Sequence, residues 1–170
     1  MGTPRKQRRK YARPSHPWKM VRITEEKELC VKYGLKNKKE VWKIRSQLGR
    51  IREQAKRLMA QAGLESEKQK KDLIAKLNSW GIKVGSIDDV LGLGAESILE
   101  RRLETVVYRK GLTNTPKQAR QFITHNHVYV GNHKVSIPSY IVLASEEDTV
   151  RLSDEIKVEK SAAEEVKEGG

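Results

Sequence analysis

Apolar residues recur at alternating intervals of three and four along one stretch of the chain, which predicts a long amphipathic helix. The apolar seam consists of Val41, Ile44, Leu48, Ile51, Ala55, Leu58 and Ala62. A repeat averaging about 3.5 residues is typical of a helix that packs lengthwise against another. Asn37 is placed to cap this helix and Gly63 to end it.

A second helix is predicted directly afterwards, and it would cover the seam of the first. Ser66 is its expected cap, and Gly81 follows an apolar stripe of Leu73, Ile74, Leu77 and Trp80. We expect an antiparallel helical hairpin, with a coiled-coil dimer as the alternative. Cations project from the long helix away from the seam and would either contact a partner or form a solvated face: Lys43, Arg45, Arg50, Arg52, Lys56 and Arg57.

Shorter elements flank the hairpin. Thr24, followed by two glutamates, predicts the start of a helix that Gly34 would end. Glycines recur through residues 81–94 and make this window the best domain boundary. Within it, a capping pattern that begins at Ser86 predicts a single helical turn around residues 88–91.

The next stretch predicts two short helices. The first would span residues 95–110, bury Leu99, Leu103, Val106 and Val107, and place Arg102 and Arg109 on one face. The second has a strong start signal, with Thr115 as cap and Pro116 at the first helical position. Its inward residues would be Ala119, Phe122 and Ile123, whereas Lys117 and Arg120 would form an outward ridge.

The pattern then changes from helical to alternating. Residues 127–136 predict a β-hairpin whose Gly131-Asn132 turn favours type II′. Further strands are expected at 140–144 and 149–152, separated by the acidic turn 145–148. Helices followed by a small, mostly antiparallel sheet indicate an α+β fold.

Composition makes a polyanion the expected partner. The chain has 170 residues, 35 Lys and Arg against 22 Asp and Glu, and a net charge of +13. No apolar run approaches the ~18 residues of a membrane span, and no basic stretch has the apolar face of an interfacial helix. Cys30 is the only cysteine, so neither an internal disulfide nor a multi-cysteine zinc site is expected. His125, His127 and His133 have no spacing that favours a metal, and no catalytic motif or phosphate-cradling loop is present.

Charge is distributed unevenly along the chain. Residues 1–22 carry basic side chains and no acidic one, and three prolines there oppose a regular helix. We expect a tail that is disordered when free and penetrates folded RNA. Its candidate contacts are Arg5, Lys6, Arg8, Arg9, Lys10, Arg13 and Trp18. Residues 159–170 are acidic and are expected to form a second disordered tail.

Several motifs in sequence order closely resemble the RNA-binding domain of the S4 family of ribosomal proteins. They are R-R-L-x-x-x-V-x-R-x-G-L from Arg101, T-P-K-Q-A-R-Q-x-I from Thr115, and the hairpin with the following I-P-S-Y. The resemblance covers roughly residues 98–157, and the N-terminal R-K-Q-R-R-K-Y-A-R-P-S-H-P-W is similar to the archaeal branch.

The resemblance implies an α-L arrangement of two helices on a small sheet, with a concave basic face for structured RNA. The family's RNA-facing positions fall on Arg101, Arg102, Arg109, Lys110, Thr115, Lys117, Gln118, Arg120, Gln121, His125, Asn132 and Lys134. Leu103, Val128 and Pro138 match structural positions. From this resemblance together with the glycine-rich boundary and the charge pattern, we expect a basic tail (1–22), a helical subdomain (23–94), an RNA-binding domain (95–158) and an acidic tail (159–170).

The function implied by the resemblance is that of a non-enzymatic component of the small ribosomal subunit. Such a protein would bind small-subunit rRNA directly, clamp an rRNA helix junction early in assembly and support translation accuracy. Its other expected partners are the S5-family neighbour and mRNA near the entry path. Its expected location is the cytoplasm, and no cofactor, metal, membrane or small-molecule substrate is expected. The alternatives are a ribosome-recycling or stress RNA-binding factor, and a duplex DNA-binding protein. Enzymes that contain the same module need a separate catalytic domain, which this length does not accommodate.

Overall fold

The fold was obtained as a computed structural model, which describes residues 9, 11–61 and 63–153. Arg5, Lys6, Arg8, Lys10, Ala62 and the acidic tail lie outside the described residues. The helices are α1 (Met20–Lys32), α2 (Lys38–Ala60), α3 (Leu64–Ser79), α4 (Ile87–Gly92), α5 (Ala95–Leu99), α6 (Leu103–Arg109) and α7 (Pro116–Thr124). The strands are β1 (Val128–Val130), β2 (His133–Lys134) and β3 (Val150–Leu152), with a short 3₁₀ turn at Glu147–Thr149. The predicted α+β class is confirmed.

Helix α1 begins before the predicted start at Thr24. Lys19 has extended backbone angles, and its carbonyl accepts the first helical hydrogen bond from Ile23 N–H. The Thr24 hydroxyl donates back to the carbonyl of Val21 at 2.7 Å, as a threonine inside a helix does. The capping interpretation of Thr24 was therefore wrong, and residues 20–22 of the predicted tail are helical.

The predicted seam of α2 is buried within a single chain. Val41, Ile44, Leu48, Ile51, Ala55 and Leu58 all lie in the first hydrophobic cluster. Helices α1, α3, α4 and α5 contact α2, which favours the intramolecular arrangement over a coiled-coil dimer.

Ser66 does not cap α3, contrary to the sequence prediction. The helix begins at Leu64, and Gly63 occupies the N-cap with a φ of 137°. Ser66 is buried one turn into the helix, where its hydroxyl contacts the carbonyl oxygens of Leu58 and Gln61 at 3.1 and 3.0 Å. Its role is to join the adjacent ends of α2 and α3.

The helix predicted over residues 95–110 is interrupted. Arg102 is extended, with φ −72° and ψ 142°, and forms an isolated antiparallel bridge with Ile141. The N–H of Leu103 donates to Tyr140 O at 2.8 Å, and the N–H of Val142 donates to Arg101 O at 2.9 Å. Because the Leu103 N–H and the Arg101 carbonyl bond to the segment around Tyr140, they cannot form the hydrogen bonds of a continuous helix. Residues 140–144 supply this bridge and form no regular strand, so that strand prediction was wrong.

The sheet has the order β2-β1-β3, and both pairs are antiparallel. Val130 pairs with His133, so the predicted two-residue Gly131-Asn132 turn is confirmed. A type II′ turn has a positive φ at its first central residue only. This is the pattern here, since Gly131 has a φ of 58° and the φ of Asn132 is not positive. The valines of β1 and β3 pack beneath α6 and α7 in the second hydrophobic cluster.

Two clusters therefore meet between Leu99 and Leu103. The first contains the buried residues from Tyr33 to Leu99, and the second those from Leu103 to Val150. The predicted domain boundary at residue 94 stays a prediction. In the described part of the chain, no helix combines the length and apolar character that crossing a membrane requires.

Candidate nucleic-acid interface

Helix α7 starts as its sequence predicts. The Thr115 hydroxyl accepts a hydrogen bond from the N–H of Gln118 at 3.2 Å, and Pro116 occupies the first turn. The side-chain oxygen of Gln118 accepts a second one from Asn114 N–H at 2.9 Å. These contacts fix the first turn, from which Lys117 projects into solvent, and Gln121 projects on the same side from the second turn.

The predicted outward ridge of α7 divides into one exposed cation and one that is paired. Lys117 is exposed, whereas the guanidinium of Arg120 forms a salt bridge with Glu40 of α2 at 2.7 Å. A second arginine reaches the same carboxylate, because Arg102 Nη2 lies 2.9 Å from the other oxygen of Glu40. Glu40 therefore joins α2 both to the residue that precedes α6 and to α7.

Glu104 completes this buried cluster. Its carboxylate lies 3.4 Å from Arg102 and 3.4 Å from Arg120. Burial raises the pKa of Glu104 to about 7, against the opposing attraction of the two arginines. Burial also acts to raise the pKa of Glu40, but hydrogen bonds from Arg120 and Arg102 outweigh it and lower that pKa.

The structure separates Arg102 from Arg109, which were expected to share a helical face. Only 4% of Arg102 is exposed, because it lies in the interruption between α5 and α6. Arg109 is exposed at the end of α6 and pairs with Glu100 at 2.9 Å. The shared-face prediction was wrong, since it assumed one continuous helix.

Arg101 is also engaged inside the protein. It forms a salt bridge with Glu147 at 2.7 Å and donates to Val142 O at 3.3 Å. A Cβ added at Gly81 would lie 2.6 Å from its guanidinium carbon. Arg101, Arg102 and Arg120 thus hold elements together, whereas the exposed residues of the predicted interface are Arg109, Lys110, Thr115, Lys117, Gln121, His125, Asn132 and Lys134.

His125 and His127 lie together at the end of α7. The rings of His125 and His127 stack with their centroids 6.3 Å apart, and Phe122 contacts His127 edge-on. Among the described residues, no group of three metal-binding side chains lies close enough to hold an ion.

The described part of the tail lies against the helical subdomain. Tyr11 packs on Trp42 with ring centroids 6.3 Å apart, and Ala12 N–H donates to the Ser46 hydroxyl at 3.0 Å. Arg9 lies over the Tyr11 ring. Arg13 lines a groove together with Trp42, whereas Trp18 is 88% exposed.

The sequence analysis did not single out several residues that the structure places at charged or aromatic contacts. Glu26 is buried in α1, where it accepts a hydrogen bond from the Trp42 indole at 2.9 Å and pairs with Arg22 and Arg45. Tyr129 and Arg151, on the sheet, were not singled out either. A glutamate next to arginines is common in any basic helix, so its pattern alone did not mark a buried position.

These features define an S4-domain protein, with two helices on a three-stranded antiparallel sheet, preceded by a helical subdomain. The S4 domain family matches residues 101–150. The chain is 50% identical over 153 residues to the small ribosomal subunit protein uS4 of Methanococcus aeolicus, covering 88% of this chain and 86% of the relative. Proteins of the same name from two strains of Methanococcus maripaludis are 48% and 46% identical, with the same coverage.

The chain belongs to the uS4 family of small ribosomal subunit proteins. The predicted resemblance to the archaeal branch of this family is confirmed by these relatives. Which residues contact RNA stays a prediction.

Proposed function

We propose that the protein is a structural component of the small ribosomal subunit and binds its rRNA directly. The observation that carries the proposal is the similarity to uS4 proteins over 88% of the chain. The net charge of +13 supports it, because neutralising phosphates provides a large share of the affinity for nucleic acid. No catalytic step is part of the proposal, and the proposed location is the ribosome of the cytoplasm.

The proposed direct contacts are the exposed members of the predicted interface. Lys117 projects from the capped first turn of α7, where the positive end of the helix dipole also favours a phosphate. Gln121 and His125 follow along the exposed side of the same helix and could reach 2′-hydroxyls or unstacked bases. Arg109 and Lys110 extend this surface from the end of α6. We assign positioning roles to Arg101, Arg102 and Arg120, because carboxylates occupy their guanidinium groups.

We infer further that the chain clamps an rRNA junction from several surfaces early in subunit assembly. The tail with Arg13 and Trp18, the cation-rich helix α2 and the S4 domain each offer a basic surface. Bridging several rRNA helices would offset the repulsion between their phosphates. An effect on translation accuracy, and contacts with the S5-family neighbour and with mRNA, belong to the same proposal.

The direct contact can be tested with the variant Lys110→Gln/Lys117→Gln. Both side chains are exposed, so the fold should be unaffected. The slope of log affinity against log salt for a small-subunit rRNA transcript should fall by about 1 per lost phosphate contact, or about 2 in total. The charge-retaining variant Lys110→Arg/Lys117→Arg is the matched control and should keep the slope.

An unchanged slope in the glutamine variant would remove this surface from the interface. The ribosomal role is tested separately by quantifying the chain in purified small subunits. A stoichiometric amount supports it, whereas a chain found only free of subunits would favour a non-ribosomal RNA-binding factor. Equal affinity for ribo and deoxy versions of one stem at matched salt would favour a DNA-binding protein.

A further inference from the structure

The small sheet has one buried face and one open face. Val128, Val130 and Val150 pack into the second hydrophobic cluster with residues of α6 and α7. Because side chains alternate along a strand, Tyr129 and Arg151 point away from that cluster. Lys134 is paired with Tyr129 in register and therefore shares its face.

These residues form a row across the strands, which we call the outer sheet row: Lys134, Tyr129 and Arg151. Tyr129 is on the central strand and is paired in register with both neighbours. The Nζ of Lys134 and the guanidinium carbon of Arg151 each lie 5.4 Å from the centre of its ring. Their backbones are separated by two strand spacings, or about 10 Å.

The two cations differ from the arginines that hold the domain together. Arg101, Arg102 and Arg120 all pair with carboxylates and are largely buried. Within the described ranges, no carboxylate lies at salt-bridge distance from Lys134 or Arg151. A tyrosine ring contributes only about 0.5–1 kcal/mol to an exposed cation, so an external anion can compete for both side chains.

The row also lies on the opposite side of the domain from the exposed side of α7. The sheet packs its valines beneath α6 and α7, so the two solvent-facing surfaces of this two-layer unit point in opposite directions. Lys134, which was predicted to belong to a concave basic face together with Lys117, lies on the opposite side of this two-layer unit from Lys117. A ligand of α7 and a ligand of the outer sheet row would approach from different sides.

We propose that the outer sheet row is a second RNA-contact surface of the S4 domain, and that it binds the phosphate backbone of an rRNA strand. This inference rests on the proposed function, which supplies the partner. Lys134 and Arg151 would contact phosphates, and the Tyr129 ring between them would hold both cations in place. Proteins that bind single strands without reading their sequence combine cations along the backbone with aromatic side chains.

The test is the variant Lys134→Gln/Arg151→Gln, measured against a full-length small-subunit rRNA transcript over a salt series. Affinity should fall, and the slope should decrease by about 2, or 1 per cation. The variant Lys134→Arg/Arg151→Lys keeps both charges and should retain the wild-type slope. Thermal unfolding of both variants reports whether the sheet itself has changed.

The outcomes separate this inference from the function on which it rests. An unchanged slope here, with a reduced slope in Lys110→Gln/Lys117→Gln, overturns the outer sheet row and leaves the proposed function intact. Wild-type slopes in both glutamine variants count against rRNA contact by the S4 domain altogether. If the charge-retaining variant loses as much affinity as the glutamine variant, the row acts only through the geometry of the sheet, and the inference fails.

Discussion

Individual cations of this protein differ in role according to what faces them. Lys117 faces solvent from the first turn of α7, while Arg120, one turn later, folds over Glu40. Arg102 is nearly enclosed between Glu40 and Glu104. A buried ion pair contributes little net stability on average, but removing one partner leaves an uncompensated charge and is strongly destabilising. The cluster is therefore best understood as fixing how the parts of the chain join.

Glu104 makes this cluster sensitive to pH. Its pKa rises from an ordinary 4.5 to about 7, so the folded state binds the proton more tightly than the unfolded state between these values. The contribution of Glu104 to the free energy of unfolding therefore decreases as pH rises through this window. Glu40 behaves in the opposite way, because its pKa is lowered. Its contribution to the free energy of unfolding is present at neutral pH and is lost as pH falls through its folded-state pKa.

We predict that Glu104→Gln gains stability relative to the wild type as pH rises from about 5 to about 8, by on the order of 2 kcal/mol. Glutamine does not ionise, so it avoids the cost of a buried carboxylate at the higher pH. Urea unfolding of both proteins at the two pH values measures this change. A difference that stays constant, or that shifts in favour of the wild type, would contradict the raised pKa.

Helix ends show which local signals are reliable in this chain. The starts of α4 and α7 were predicted, because a Ser or Thr hydroxyl accepts a hydrogen bond from the N–H three residues later. At α1 and α3 the same residue types lie one turn inside the helix and bond to earlier carbonyls. Short polar side chains can do either, so upstream residues decide which occurs.

We predict that Thr115→Ala lowers the free energy of unfolding by about 1 kcal/mol, since the N–H of Gln118 loses its acceptor. Thr115→Ser keeps the hydroxyl and is the matched control, with a much smaller effect. Denaturant unfolding of the three proteins measures both changes. Equal stability of the alanine variant and the wild type would show that the cap contributes nothing.

At the scale of the whole molecule, the two hydrophobic clusters are held in place by contacts between distant segments. Gly34, after α1, has a φ of 63° and touches the start of α7, where an added Cβ would lie 2.7 Å from the Cβ of Pro116. Glu40 bonds to Arg102 and Arg120 across the same junction. Gly34 and Glu40 therefore position the first turn of α7, from which Lys117 projects.

We predict that Gly34→Ala is more destabilising than Gly111→Ala by about 1–3 kcal/mol. Both glycines have a positive φ, of 63° and 66°, so both variants share a backbone cost of about 1–2 kcal/mol. Gly111 has nothing within 4 Å of the added Cβ, whereas Gly34 meets Pro116. Urea unfolding compares the two directly, and equal losses would show that the Gly34–Pro116 contact is not tight.

Prediction from sequence succeeded where the signal is local. The apolar seam of α2, the cap of α7 and the Gly131-Asn132 turn each depend on residues close together in the chain, and the structure has all three. It failed at residues 95–110, where helical periodicity is good but Arg102 pairs with Ile141. That pairing depends on Ile141, which is 39 residues further along the chain, so no pattern within residues 95–110 predicts it.

The sequence by itself determined the class of fold, the two apolar faces, the basic character and the family motifs. These follow from periodicity, capping and charge, which act over a few residues or over the whole composition. Only the tertiary structure decided which cations remain available. It buried Arg102, folded Arg120 onto Glu40, and placed Lys134 with Arg151 on the face opposite α7. The physical reason is that a cation is buried only where a carboxylate lies close enough to pair with it. Glu40, which pairs with Arg102 and Arg120, is distant from both in the sequence.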